Sequence, residues 1–194
     1  NRFSQVGHVG RNVIADTSGA DIDLTLYDEG DINLTAGTGN HAYTQIGHGG
    51  HLSTGNQEGN ISLLGAGSVS LNTPETSSGE YRYAHIGHGG GQSTGDRVGD
   101  IKVDAVGSLA LNGGGHGINS YAQIGHGGAR ASINPSAVDL VGDICVTVGG
   151  AVALDANNVI GSNYSGTHAL IGHGGRNALS NRVGDINVVA GLNT

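Results

Sequence analysis

One near-identical stretch recurs five times along the chain, and its spacing constrains the possible folds more than any other feature. Tyr121-Ala122-Gln123-Ile124-Gly125-His126-Gly127-Gly128 returns as Phe3 to Gly10, Tyr43 to Gly50, Tyr83 to Gly90 and His168 to Gly175. Its histidines, His8, His48, His88, His126 and His173, are separated by 40, 40, 38 and 47 residues. A period in that range belongs to stacked units, each of which buries its apolar side chains against its neighbours. A second signature keeps the same period: an acid or amide followed by alternating apolar residues, at Asp21, Asn60, Asp100, Asp143 and Asp185. The chain therefore reads as a single segment, 1–194, of about five repeats, approximately 1–40, 41–80, 81–118, 119–165 and 166–194, and as a piece of a longer chain or filament.

Alternation within each repeat predicts three short strands. In the first, Val6 closes a strand, Ile22, Leu24 and Leu26 share one face of the next, and Ile32 and Leu34 alternate again. No segment holds a helical apolar period, and glycine is too frequent for helices. Repeated short alternating strands imply an all-β fold, a parallel β-helix (β-solenoid) of about five coils with neighbouring coils about 4.8 Å apart. One coil per repeat stacks like on like: Val6, Ile46, Ile86, Ile124 and Ile171 in one column, Ile22, Ile61, Ile101, Ile144 and Ile186 in another. Two coils per repeat is the rival register and gives no such columns. Length variation falls in fixed connections, from His126 to Asp143 with Pro135, and from Asp155 to Thr167, which are expected to be exposed loops.

Composition agrees with many small side chains rather than a bulky core: 38 glycines, 4% aromatics, no Met and no Trp. The net charge of −8 and the lack of any basic cluster along the sequence make nucleic acid and anionic membranes poor partners. No apolar run of about 18 residues is present to insert in a bilayer. Cys145, the single cysteine, excludes an internal disulfide and is expected to point outward as a free thiol.

Three columns are candidates for chemistry. The histidines His8, His48, His88, His126 and His173 are expected to form a structural ladder at the bend after the first strand, each imidazole bonding a backbone carbonyl or the next histidine. Zinc between adjacent imidazoles is the alternative. Two imidazolium charges about 5 Å apart repel by roughly 3 kcal/mol at an effective dielectric near 20, so acid should loosen such a ladder. Asp21, Asn60, Asp100, Asp143 and Asp185 read as turn residues that accept local backbone N–H groups, with calcium between stacked carboxylates as the alternative. Phe3, Tyr43, Tyr83 and Tyr121 alternate opposite to the core isoleucines and are placed on the outward face with Gln5, Gln45 and Gln123, as a stacked ladder that stabilises the coil, with binding of sugar rings or a neighbouring fibre as the alternative. Every notable residue is repeated, and no distinguished nucleophile or acid stands apart, so no catalytic residue is assigned and an enzyme is not expected. No cofactor is required.

Ala-Gln-Ile-Gly-His-Gly-Gly at Ala122 to Gly128, with Gly-Asp-Ile-x-Val at Gly99 to Val103, Gly142 to Val146 and Gly184 to Val188, resembles repeat regions of large bacterial exoproteins of the filamentous-haemagglutinin type. The resemblance implies a right-handed β-helix, display outside the cell, and a role in adhesion or matrix building. Apart from the resemblance, unpaired strand edges at the two ends of such a stack predict copies of the chain associating end to end or side by side, and the Tyr/Gln column makes surface glycans a further candidate partner. Such regions act as stalks, and no receptor-binding residue is carried over from them.

Overall fold

Each repeat makes one turn of a β-solenoid. In the computed structural model, Tyr43 pairs with Tyr83 and Ile46 with Ile86, parallel and in register, one repeat apart. The structure describes residues 2–74, 79–114, 117–131, 138–156 and 166–191. Pro135 and most of the connection from Asp155 to Thr167 lie outside the described residues. No helix occurs among those described.

Four parallel sheets run along the stack. The first contains Phe3–Val6, Tyr43–Ile46, Tyr83–Ile86, Tyr121–Ile124 and His168–Ile171. The second contains Ile22–Thr25, Ile61–Ala66, Ile101–Ala105, Ile144–Val148 and Ile186–Ala190. The third contains Ile32–Thr35, Val69–Thr73, Leu109–Gly113 and Val152–Asp155. Five rungs in the longer sheets enclose about four full turns, slightly fewer than five complete coils.

The fourth sheet is a correction to the expected three strands per coil. It contains Gln57–Glu58, Arg97–Val98, Asp139–Val141 and Asn181–Val183, between the histidine turn and the second sheet. These strands are two or three residues long and carry no apolar alternation, so their pairing rests on the backbone. In the first coil this column is reduced to one isolated bridge, Thr17 to Gln57, and a neighbouring line of bridges joins Ile14, Thr54 and Thr94.

The apolar columns fill the space between the first three sheets. Ile46, Ile86 and Ile124 meet Ile61, Ile101 and Ile144 and the Val69, Leu109 and Leu111 side chains in one continuous buried cluster. β-Branched residues suit this stacking, because each sits on its equivalent in the next rung. Burying such a side chain contributes about 1.5–3 kcal/mol, and the gain repeats with every coil added.

Candidate functional site

The bend after each first-sheet strand carries the histidine, and each ring stacks on the next. Centroids from His8 to His48, His48 to His88, His88 to His126 and His126 to His173 are 5.2, 4.8, 4.8 and 5.0 Å apart. Hydrogen bonds run up the same column. The backbone N–H of His8 donates to His48 Nδ1 at 3.0 Å, that of His48 to His88 Nδ1 at 3.0 Å, and that of His88 to His126 Nδ1 at 3.1 Å. His126 N–H repeats the bond to His173 Nδ1 at 3.0 Å.

The other ring nitrogen faces a different part of the coil. Nε2 of His88, His126 and His173 lies 2.7, 2.7 and 2.8 Å from the carbonyl oxygens of Gly59, Gly99 and Gly142. His48 Nε2 makes the same bond to Ala20. A ring whose Nδ1 accepts a backbone N–H and whose Nε2 faces a carbonyl is the neutral Nε2–H tautomer. Each ladder histidine after His8 thus bonds the preceding coil twice, through that coil's histidine N–H and through the carbonyl just ahead of its Asx residue. The two repeated signatures are bonded to each other.

Saturation of both nitrogens decides what these rings can do. In His48, His88 and His126 the Nδ1 lone pair and the Nε2–H are both engaged, so zinc would have to break a backbone bond for every imidazole it took. Among the described residues, no group of three or more His, Cys, Asp or Glu is placed to hold a metal ion. Burial pushes His88 down to about 3 and His126 well below the usual imidazole range, with the neighbouring histidines adding to the shift in both. His48 and His173 are also lowered, chiefly by burial.

The aromatic column is not on the surface. Tyr43, Tyr83 and Tyr121 are buried, at 1%, 0% and 0% exposure, and form a second core with Ala129. Alternation does point them away from the isoleucines, but the chain after the histidine turn folds back over that face. Gly50, Gly90 and Gly128 make this possible: a Cβ on any of them would collide with the tyrosine hydroxyl of its own coil. The rings stack at 5.0, 4.6 and 4.8 Å from Phe3 through Tyr121, and His168 continues the column at 4.9 Å. Gln45 and Gln123, also expected outside, are buried beside them. Gln45 Nε2 donates to the carbonyls of Gly87 and Gly89 at 2.9 and 2.7 Å, and Gln123 Nε2 repeats the pair on Gly172 and Gly174 at 3.0 and 2.7 Å. A sugar cannot reach these rings without opening the coil.

Arg97 was not legible as a structural residue, yet its guanidinium is 1% exposed under the same fold-back. Nη1 donates to the carbonyls of Gly55, Gly95 and Asp96 at 2.8, 2.6 and 2.9 Å, and Nη2 to Thr94 at 2.9 Å. Backbone oxygens replace water around the charge. Burial lowers it to about 10, which leaves it cationic at neutral pH.

The acidic column works between coils, not within its own turn as expected. Asp21 Oδ1 accepts the N–H of Asn60 at 2.7 Å, Asn60 Oδ1 that of Asp100 at 2.9 Å, Asp100 Oδ1 that of Asp143 at 2.9 Å, and Asp143 Oδ1 that of Asp185 at 2.8 Å. In-register stacking places the next N–H directly over each side-chain oxygen. A second such ladder joins Asp16, Asn56, Asp96 and Asp139 through bonds of 2.7, 3.0 and 3.0 Å. Asn60 shows that an amide serves as well as a carboxylate, so no cation is needed to hold the series together. Asp100→Asn is expected to leave stability within about 0.5 kcal/mol, while Asp100→Ala costs about 1 kcal/mol by losing the acceptor. Thermal melts with and without calcium check both variants. A rise in melting temperature on adding calcium to the native chain, lost in Asp100→Asn, would contradict this assignment.

The chain matches no protein-family model, no curated protein and no solved structure.

Proposed function

We propose that this chain is a structural segment of an extracellular bacterial fibre or adhesin, a rigid stalk or self-assembling filament that serves adhesion or a matrix scaffold. One observation carries the reading: the repeated polar residues, His, Gln and Asx, direct their hydrogen bonds to the backbone of the adjoining coil. Groups held in this way strengthen the stack and leave little capacity for a ligand. The role is mechanical. Apolar side chains at both outer rungs remain open, with Phe3 48% and Ile186 52% exposed, which suits further coils or copies stacked on either side. Display outside the cell follows the resemblance of the Ile-Gly-His-Gly-Gly and Gly-Asp-Ile motifs to bacterial exoprotein repeats.

Electron microscopy of the purified chain tests the reading. The expected object is a rod that gains about 4.8 Å of length per coil and resists proteolysis along its length. Compact particles with no long axis, digested as readily as an unfolded chain, would defeat it.

A further inference from the structure

Cations are scattered along the sequence, but the fold gathers four of the eight lysines and arginines at one corner of the coil. The turns after the ladder histidines meet there with the turns that lead into the first sheet. His41 and His51 rings lie 4.3 Å apart, Arg130 Nη1 donates to Tyr81 Oη at 3.2 Å, and Arg176 Nη1 donates to Asn119 Oδ1 at 3.0 Å. Arg11 lies close enough to both histidines to oppose their protonation, and Arg2 borders the turn from Gly37 to Gly39. Arg2, Arg11, Arg130 and Arg176 are at least partly accessible, and Glu80 is the acid found among them in the described residues. A charge patch thus exists that no stretch of sequence displays.

A different side of the coil has the opposite sign. The second sheet turns Asp23 and Asp104 outward, and the ladder acids Asp21, Asp100, Asp143 and Asp185 line its border in exposed positions. Its one cation, Lys102, is paired with Asp104 at 3.1 Å. The other outward residues are mostly short, Ser62, Cys145, Thr147 and Asn187 among them, with Leu64 and Val189 as apolar members, so the face can receive a protruding corner.

We propose that the basic corner docks on the acidic second-sheet face of a second copy, so that solenoids lie side by side. Both surfaces are built on coils about 4.8 Å apart, so the arginines of the first, fourth and fifth coils on one copy can meet acids set at the same spacing on the next. The net charge of −8 does not prevent the contact, because a screening length of about 8 Å limits each surface to the groups that face it. Complementary patches set orientation and register more than raw affinity. The contact is heterologous: each copy keeps a free corner and a free face, so pairing extends laterally without closing. The proposal rests on the rod reading only in requiring an ordered stack.

Sedimentation velocity and electron microscopy test it at about 0.01 M and about 1 M salt, where screening lengths are roughly 30 and 3 Å. Wider bundles are expected at low salt and single rods at high salt. Arg130→Glu with Arg176→Glu should lower lateral association at least tenfold, as should Asp23→Lys with Asp104→Lys, neither pair touching the His or Asx ladders. Mixing the two double variants should restore it. Rods that lengthen without widening, or association indifferent to salt and to both variants, would overturn the docking and leave the rod reading intact. Binding of polyglutamate to the corner, with no pairing of copies, would overturn the choice of occupant. Should a variant fail to melt cooperatively, the salt response of the native chain decides alone.

Discussion

Replacing Gly87 with alanine is expected to cost the stack about 4 kcal/mol, although it adds a single methyl group. Gly87 has φ of +150°, a backbone conformation that L side chains rarely adopt. Its missing Cβ would also sit inside contact distance of the Gly125 carbonyl oxygen in the next coil. Gly125 has little room to give way, since its own φ is +141° and it lies against the Gly172 carbonyl of the following coil too closely for a Cβ. Backbone strain of about 1–3 kcal/mol adds to overpacking of about 1–3 kcal/mol, and the coil-to-coil bonds on that side stretch as well. A loss of about 4 kcal/mol or more is a large part of the 5–15 kcal/mol that typically holds a domain. Gly39→Ala is the control: nothing lies within 4 Å of its Cβ, and a change of no more than about 0.5 kcal/mol is expected. Urea unfolding of both variants, followed by circular dichroism, measures the contrast. Equal midpoints for the two would show that the corner yields and that stacking is looser than the coordinates indicate.

The columns were legible because a parallel in-register stack repeats each position, and aligning the chain with itself already puts Ile46 over Ile86 and His48 over His88. The same alignment holds the second Asx ladder at Asp16, Asn56, Asp96 and Asp139, which went unread because no apolar strand follows it so closely. Two kinds of information were not local. Alternation correctly separates Tyr43 from Ile46, but it cannot say that the chain returns to cover the tyrosine side; the glycine two residues after each ladder histidine was the signal, since only there can the backbone close over a ring. The double bonding of each imidazole depends on which corner of the coil faces the ring, and that follows from how the coil closes in space. Charge behaved likewise. Arg11, Arg130 and Arg176 are far apart in sequence and come together only because each occupies the same turn of a different coil.

Acid is expected to dismantle the stack well before the carboxylates are fully protonated. An unfolded histidine binds its proton near pH 6.5, whereas burial holds the ladder's His88 at about 3 and His85, buried where the neighbouring coils have Gln45 and Gln123, at about 4 in the folded chain. Groups whose folded value is depressed in this way bind more protons unfolded than folded, so stability is fully present above about pH 6.5 and falls as the pH drops toward the folded values. At pH 5 the loss is about 2 kcal/mol for each of these two residues, and His126, His48 and His173, lowered for the same chief reason, act in the same direction. The ladder explains why the folded chain resists the proton. A proton on His88 Nδ1 would face the His48 N–H that this nitrogen now accepts, two donors against each other, and would put a charge one rung from its neighbours. Each coil that does take up a proton loses its bond to the coil beside it, which exposes the next imidazole and makes the following step easier. A steep fall in melting temperature between about pH 6 and pH 4 is therefore expected, with reversal on neutralisation. A melting temperature that stays constant over this range would mean that the imidazoles are not held neutral, and would remove the ladder as the main bond between coils.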